Sequence, residues 1–259
     1  MRNVLRSEWR KVTTTRLWWG LLLAALAIAA LSTFTQIAGG SSGGPPGVPP
    51  PDPFAQVANQ RSLATAAAAG GVFALVFGIV VMTTEFRHLT SRPTFLIQPR
   101  RERVVAAKLL VAAAVGAAYG IASVAVVVAI MGPWLSAKGV TIGWLSGGVL
   151  ATLAETVLAM ALYALLGVGV GVLVRNQLAA VIGALVVLFI VENVVLAIPD
   201  LQGAWRFLPV PAADQLVGTR IPDIGGPALT PLEGGLVFFG WGLLLAICGW
   251  LTTLRRDIP

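Results

Sequence analysis

Between Thr84 and Lys108 the chain reads TEFRHLTSRPTFLIQPRRERVVAAK, where Arg87, Arg92, Arg100, Arg101, Arg103 and Lys108 face only two carboxylates, Glu85 and Glu102. A basic segment between two apolar stretches belongs on the cytoplasmic side, because lysine and arginine resist translocation, and there something cytoplasmic can read it or push on it. A second charged set opens the chain, with Arg2, Arg6 and Arg10 at i, i+4 spacing and Leu5, Trp9 and Val12 on another face. Two further carboxylates, Glu155 and Glu192, stand in apolar sequence with Asn193 beside the second. An ionisable group in such a setting is costly and marks a part in transport or a structural hydrogen bond.

Residue types that make and break bonds are sparse. His88 is the only histidine and Cys248 the only cysteine, which excludes a multi-histidine or zinc pattern and an intrachain disulfide. The sequence has no G-x-x-x-x-G-K-[ST] phosphate loop. An intramembrane hydrolase needs a nucleophile and a base at one depth; serines such as Ser123 occur, but no histidine or matched lysine accompanies them in an apolar segment. The chain therefore reads as a non-enzyme, with no catalytic, metal or cofactor-binding residue of its own.

Elements that hold these residues follow from composition. Of 259 residues, 57% are hydrophobic and 11% charged, against roughly 25% charged in soluble domains. The expected fold is an all-α integral membrane protein forming a single transmembrane domain. A short amphipathic helix over 1–16 lies in the membrane interface with Trp9 at headgroup depth. Six apolar stretches meet the length of about 20 residues that a bilayer demands: 17–38, 63–84, 104–131, 145–174, 178–198 and 232–254. The Gly/Pro-rich interval 39–62 is an external loop, and 85–103 is the charged connection between spans 2 and 3. Gly132-Pro133 ends span 3, and the excess length of span 4 implies tilt or an interfacial start. Residues 199–231 are too rich in proline for a span and too apolar for a solvated linker, which predicts a broken re-entrant or interfacial helical pair.

Placing both termini in the cytoplasm puts 14 of the 18 lysines and arginines inside, leaving Arg61, Lys138, Arg206 and Arg220 outside. The net charge of +7 then belongs to loop retention and acidic membrane lipid, not to nucleic acid. Small residues at Ala64–Gly71, the Gly116/Gly120 pair and Gly167, Gly169 and Gly171 mark places where helices approach closely. Tryptophans near span ends, including Trp18, Trp19, Trp134, Trp144 and Trp250, form interface belts.

Two motifs resemble one family. Glu85-Phe86-Arg87, Thr90, Arg92, Pro93-Thr94, Leu96, Pro99-Arg100-Arg101 and then Lys108 are similar to the segment between spans 2 and 3 of ABC-2 type transporter permeases, E-[YF]-R-x-G-T-x-R-x-T-L-x-x-x-P-R-R followed by a lysine. Leu89 stands where that pattern has glycine. Ser7 to Arg16, S-E-W-R-K-V-T-T-T-R, resembles the N-terminal signature of the same permeases.

The resemblance implies a bacterial plasma-membrane exporter in which two permease chains, identical or homologous, pair and dock on two separate ABC ATPase subunits. ATP and Mg would be held by those partners. Glu85, Phe86, Arg87, Thr90, Arg92, Pro99, Arg100 and Arg101 would form the coupling segment, and Glu8, Trp9, Arg10 and Lys11 part of the elbow helix. Substrate would pass between spans 2 and 5 of the two protomers, along Phe73, Phe77, Met82, Val187 and Phe189. The short remainder after the sixth span, with no external binding domain, predicts export. A mostly apolar interior suits amphipathic drugs, lipids or peptides alike. Two other readings are a proton-coupled carrier working through Glu155 and Glu192, and a non-transporting membrane scaffold or sensor. Against the carrier, the inverted repeats usual in such proteins have no counterpart in the sequence.

Overall fold

The structure is a computed structural model and describes residues 2–39, 53–87, 101–145, 147–174, 176–219, 226–249 and 251. Among them every regular element is helical. Among the described residues eleven α-helices occur in order: α1 Arg2–Thr14, α2 Leu17–Gly39, α3 Val57–Thr65, α4 Gly71–Arg87, α5 Arg101–Ala137, α6 Val149–Leu173, α7 Gln177–Val186, α8 Glu192–Ala197, α9 Gln202–Trp205, α10 Pro209–Leu216 and α11 Pro231–Gly249. A 3-10 segment, Ala66–Gly70, joins α3 to α4, and a π turn, Val187–Val191, joins α7 to α8. Six helical stretches among the described residues are long and apolar enough to cross a membrane: Leu17–Gly39, Val57–Thr84, Ala106–Ala137, Val149–Leu173, Gln177–Ala197 and Pro231–Gly249.

Span 4, made by α6, is the axis of the bundle, in contact with α4, α5 and α11. It can take that place because its glycines admit neighbouring backbones. A Cβ on Gly167 would strike the Leu75 carbonyl oxygen of span 2, and one on Gly78 would strike the Ala164 carbonyl oxygen of span 4. Gly116 and Gly120 of span 3 meet the other side of α6, where added Cβ atoms would lie 2.6 Å from the Met160 oxygen and 2.7 Å from Val157 Cα. Lipid gives no hydrophobic drive for helix association, so this close contact supplies dispersion energy in its place. Phe77 packs on Tyr119 with ring centroids 5.8 Å apart, and Tyr163 packs edge-on to Phe238 of span 6 at 4.7 Å.

Several helix ends differ from the sequence expectation. Span 3 does not stop at Gly132-Pro133 but runs to Ala137. Pro133 forgoes one amide donor, yet the helix runs a further turn past it, and Gly139 (φ 71°) ends it. The amides of Gly139 and Val140 return to the carbonyls of Ser136 and Leu135, the hydrogen-bond pattern of a Schellman motif. Helix begins at Val57, six residues ahead of the expected start of span 2 at 63. Gln60 stabilises this early start, donating to the Phe54 and Thr141 carbonyls and accepting from the Gly143 amide. Span 4 starts at Val149 and not 145, preceded by Gly148 at φ 71°. Span 5 opens where the Asn176 side chain caps the Ala179 amide at 3.1 Å.

The interval after span 5 forms two short helices, α9 and α10, the second opened by Pro209 at its first position. Gln215 donates to the Arg206 and Pro211 carbonyls, and its side-chain oxygen accepts from the Leu229 amide. Span 6 then starts with a capping box, in which Glu233 accepts from the Thr230 amide at 2.8 Å while its own amide reaches the Thr230 hydroxyl at 3.4 Å.

Candidate functional site

A buried polar junction lies at the end of the bundle where α1 meets spans 2 and 3. Leu5, Glu8 and Val12 share one stripe of α1 at i, i+3, i+7 spacing and turn inward, Glu8 and Val12 being buried. At the end of α1 the hydroxyls of Thr13, Thr14 and Thr15 donate to the carbonyls of Trp9, Arg10, Lys11 and Val12. Of these acceptors, the Lys11 and Val12 carbonyls are among those that the last turn leaves open. Arg16 then leads directly into span 1, whose Trp18 carbonyl accepts from the Tyr119 hydroxyl of span 3 at 2.6 Å.

At the centre of this junction, Lys108 Nζ donates to Glu8 Oε2 at 2.7 Å and to the Val81 carbonyl of span 2 at 3.4 Å. Lys11 closes on the other carboxylate oxygen, Glu8 Oε1, at 2.6 Å. Lys108 is 1% exposed and Glu8 3%. A buried charge is tolerable only when paired and hydrogen-bonded, and the second cation on Glu8 supplies part of that. One ion pair therefore ties the N-terminal signature, through Glu8, to the lysine that closes the signature between spans 2 and 3. Trp9 and Arg10 of the same helix are exposed.

Of the expected coupling residues, Glu85, Phe86 and Arg87 lie on the last turn of α4, and Arg101 opens α5. Thr90, Arg92, Pro99 and Arg100 lie outside the described residues. The described ends of the segment thus issue from helices that flank the Glu8–Lys108 pair.

The expected pathway residues are not brought together within one chain. Phe77 and Met82 are buried in the core and Phe73 is half-buried against it. Val187 and Phe189 lie in the π turn of span 5 with their side chains exposed. A π turn interrupts the i to i−4 ladder and frequently accompanies a functional position; here the Asn193 amide nitrogen donates to the Phe189 carbonyl at 2.9 Å.

Both intramembrane acids stand next to polar groups. Glu192 is buried, and its two carboxylate oxygens accept from the Val210 amide at 3.3 Å each. That amide is in the first turn of α10, where a carboxylate meets the positive end of the helix dipole. Glu155 shares a face of α6 with Thr152, whose hydroxyl is 3.4 Å from Arg61 Nε. The Arg61 head also lies close to Gly148 and Gly218, joining span 2, span 4 and the loop after α10. Glu155 Oε2 is buried without a hydrogen-bond partner among the described residues. Burial pushes the carboxyl of Asp214, on α10, up to about 6. Sequence reading missed Asp214, Gln60 and Gln215; the available signal was an amide or acid set singly among apolar residues.

No model of a known protein family matches the chain, and comparison with curated proteins finds no match either.

Proposed function

We propose that this chain is the membrane permease subunit of an ATP-driven ABC exporter of a bacterial plasma membrane. It pairs with a second permease chain, identical or homologous, and is driven by two separate ATPase subunits that hold ATP and Mg. The α4–α5 connection is the part those subunits grip, and α1 is the elbow that moves with it. The observation that supports this reading best is the Glu8–Lys108 pair. A force on the connection between spans 2 and 3 reaches α1 and span 1 through a buried, hydrogen-bonded charge. A rigid joint of this kind transmits a rotation that a loose loop would dissipate.

The reading predicts that the tagged chain, extracted from its native membrane, carries a nucleotide-hydrolysing companion. Glu85→Ala or Arg87→Ala should lower the companion-dependent ATP turnover by roughly tenfold, the scale of one lost charge-assisted hydrogen bond. Extraction without any such companion, or turnover indifferent to both substitutions, contradicts it.

A further inference from the structure

Glu8 is the only acidic residue of α1, and its carboxylate is turned into the bundle onto Lys108. Arg6 and Arg10 stand on the opposite face of the helix from that carboxylate, while Lys11 at its edge is paired with Glu8 Oε1. Arg6, Ser7, Arg10, Lys11 and Thr14 line a shallow open depression there, about 450 Å³ in volume. Arg6 and Arg10, one turn apart and both exposed, stand side by side on the helix surface. Trp9, 49% exposed, flanks the row. Span 1 begins at Leu17, three residues beyond the end of α1, and its next two residues are the stacked pair Trp18 and Trp19, ring centroids 4.0 Å apart. Tryptophan at the end of a span sits at headgroup level, which sets the depth of the adjoining helix.

We propose that this depression binds the phosphate of an acidic phospholipid, gripped by the guanidinium groups of Arg6 and Arg10. Charge complementarity carries the assignment: an amphipathic helix held at headgroup depth meets phosphates as its nearest abundant anions. The inference rests on α1 lying at the membrane surface, which belongs to the proposed function, but requires no ATPase.

The test places a bimane fluorophore at Thr13→Cys in a full-length Cys248→Ser background, reconstituted in nanodiscs. Quenching by brominated phosphatidylglycerol is compared with quenching by brominated phosphatidylcholine at equal mole fraction. The acidic lipid should quench more strongly, and each of Arg6→Gln and Arg10→Gln should reduce its local enrichment by about fivefold. Lys138→Gln, at the other end of span 3, should preserve the enrichment. Inorganic phosphate should do no more than chloride at equal ionic strength. Equal quenching by the two lipids overturns the proposal, as does enrichment that survives loss of both arginines. Competition by inorganic phosphate beyond the salt effect would assign the site to a small anion. Absence of quenching by either lipid would turn the face towards water and a protein partner, contradicting the proposal while leaving the ATPase reading to its own test.

Discussion

Lys108 and Glu8 are a hundred positions apart and share one buried contact. Removing Glu8 strands Lys108 away from water, at a cost of about 3–5 kcal/mol, whereas removing Lys108 leaves Glu8 only its half-exposed partner Lys11. Glu8→Gln should therefore lower the unfolding midpoint of the detergent-solubilised chain sharply, and Lys108→Met less so. The joint change Glu8→Leu/Lys108→Met should recover much of the loss, because neither charge is then left alone. Lys11→Gln should cost under about 1 kcal/mol, since that side chain is 48% exposed. If the single and joint variants unfold together, the pair is not the joint described above. Asp214 offers a second residue-scale test. With its carboxyl raised from 3.8 to about 6 by burial, ionisation opposes folding. The penalty is absent below about pH 4, grows as pH rises towards 6, and is constant above that. The wild-type midpoint should consequently gain on that of Asp214→Asn as pH falls from 7 to 5; a constant gap between the two would refute the shift. Both ends of the ion pair stood out in the sequence, as the acid of a basic helix and the lysine before an apolar run. Their pairing was illegible because no local spacing encodes a contact between elements so far apart.

At the scale of elements, α4 and α6 are locked by reciprocal glycines. Gly78→Val or Gly167→Val should push the two helices apart, since the obstructing atoms are backbone oxygens that cannot rotate away. The expected loss is about 1–3 kcal/mol or more, read as a lower unfolding midpoint together with loss of a disulfide engineered between spans 2 and 4. Gly183→Ala in α7 should be neutral or mildly stabilising, because a Cβ there meets nothing within 4 Å. Tolerance of valine at both Gly78 and Gly167 would contradict the packing. The small-residue pattern of spans 3 and 4 was legible, as were six apolar lengths matched to a bilayer. Helix ends were less so. Pro133 looked like a terminus, but the helix continues a turn past it to the Gly139 turn. Val57 looked like loop, because two of the partners of Gln60 that fix that turn, the Thr141 carbonyl and the Gly143 amide, lie 81 and 83 positions away.

In the whole molecule, spans 2, 3 and 4 form the enclosed part, while spans 1, 5 and 6 present most of their apolar surface outward. Phe77 and Met82 therefore belong to the internal packing of one chain, whereas Val187 and Phe189 face out from the π turn of span 5. In the proposed pair of permeases, only the second of these sets is placed to meet another chain or a substrate without the bundle opening. The Glu8–Lys108 joint stands at the end of the bundle from which α4 and α5 continue towards the arginine-rich connection, the end that the proposed function assigns to the cytoplasm. The most direct test of the account is a photo-reactive amino acid placed at Phe86, on the last turn of α4, and activated in living cells of the source organism. The account predicts a covalent adduct with an ATP-hydrolysing subunit on the cytoplasmic side, diminished by Arg87→Ala. Labelling of Phe86→Cys by a membrane-impermeant reagent added from outside, or adducts with lipid alone, would contradict it.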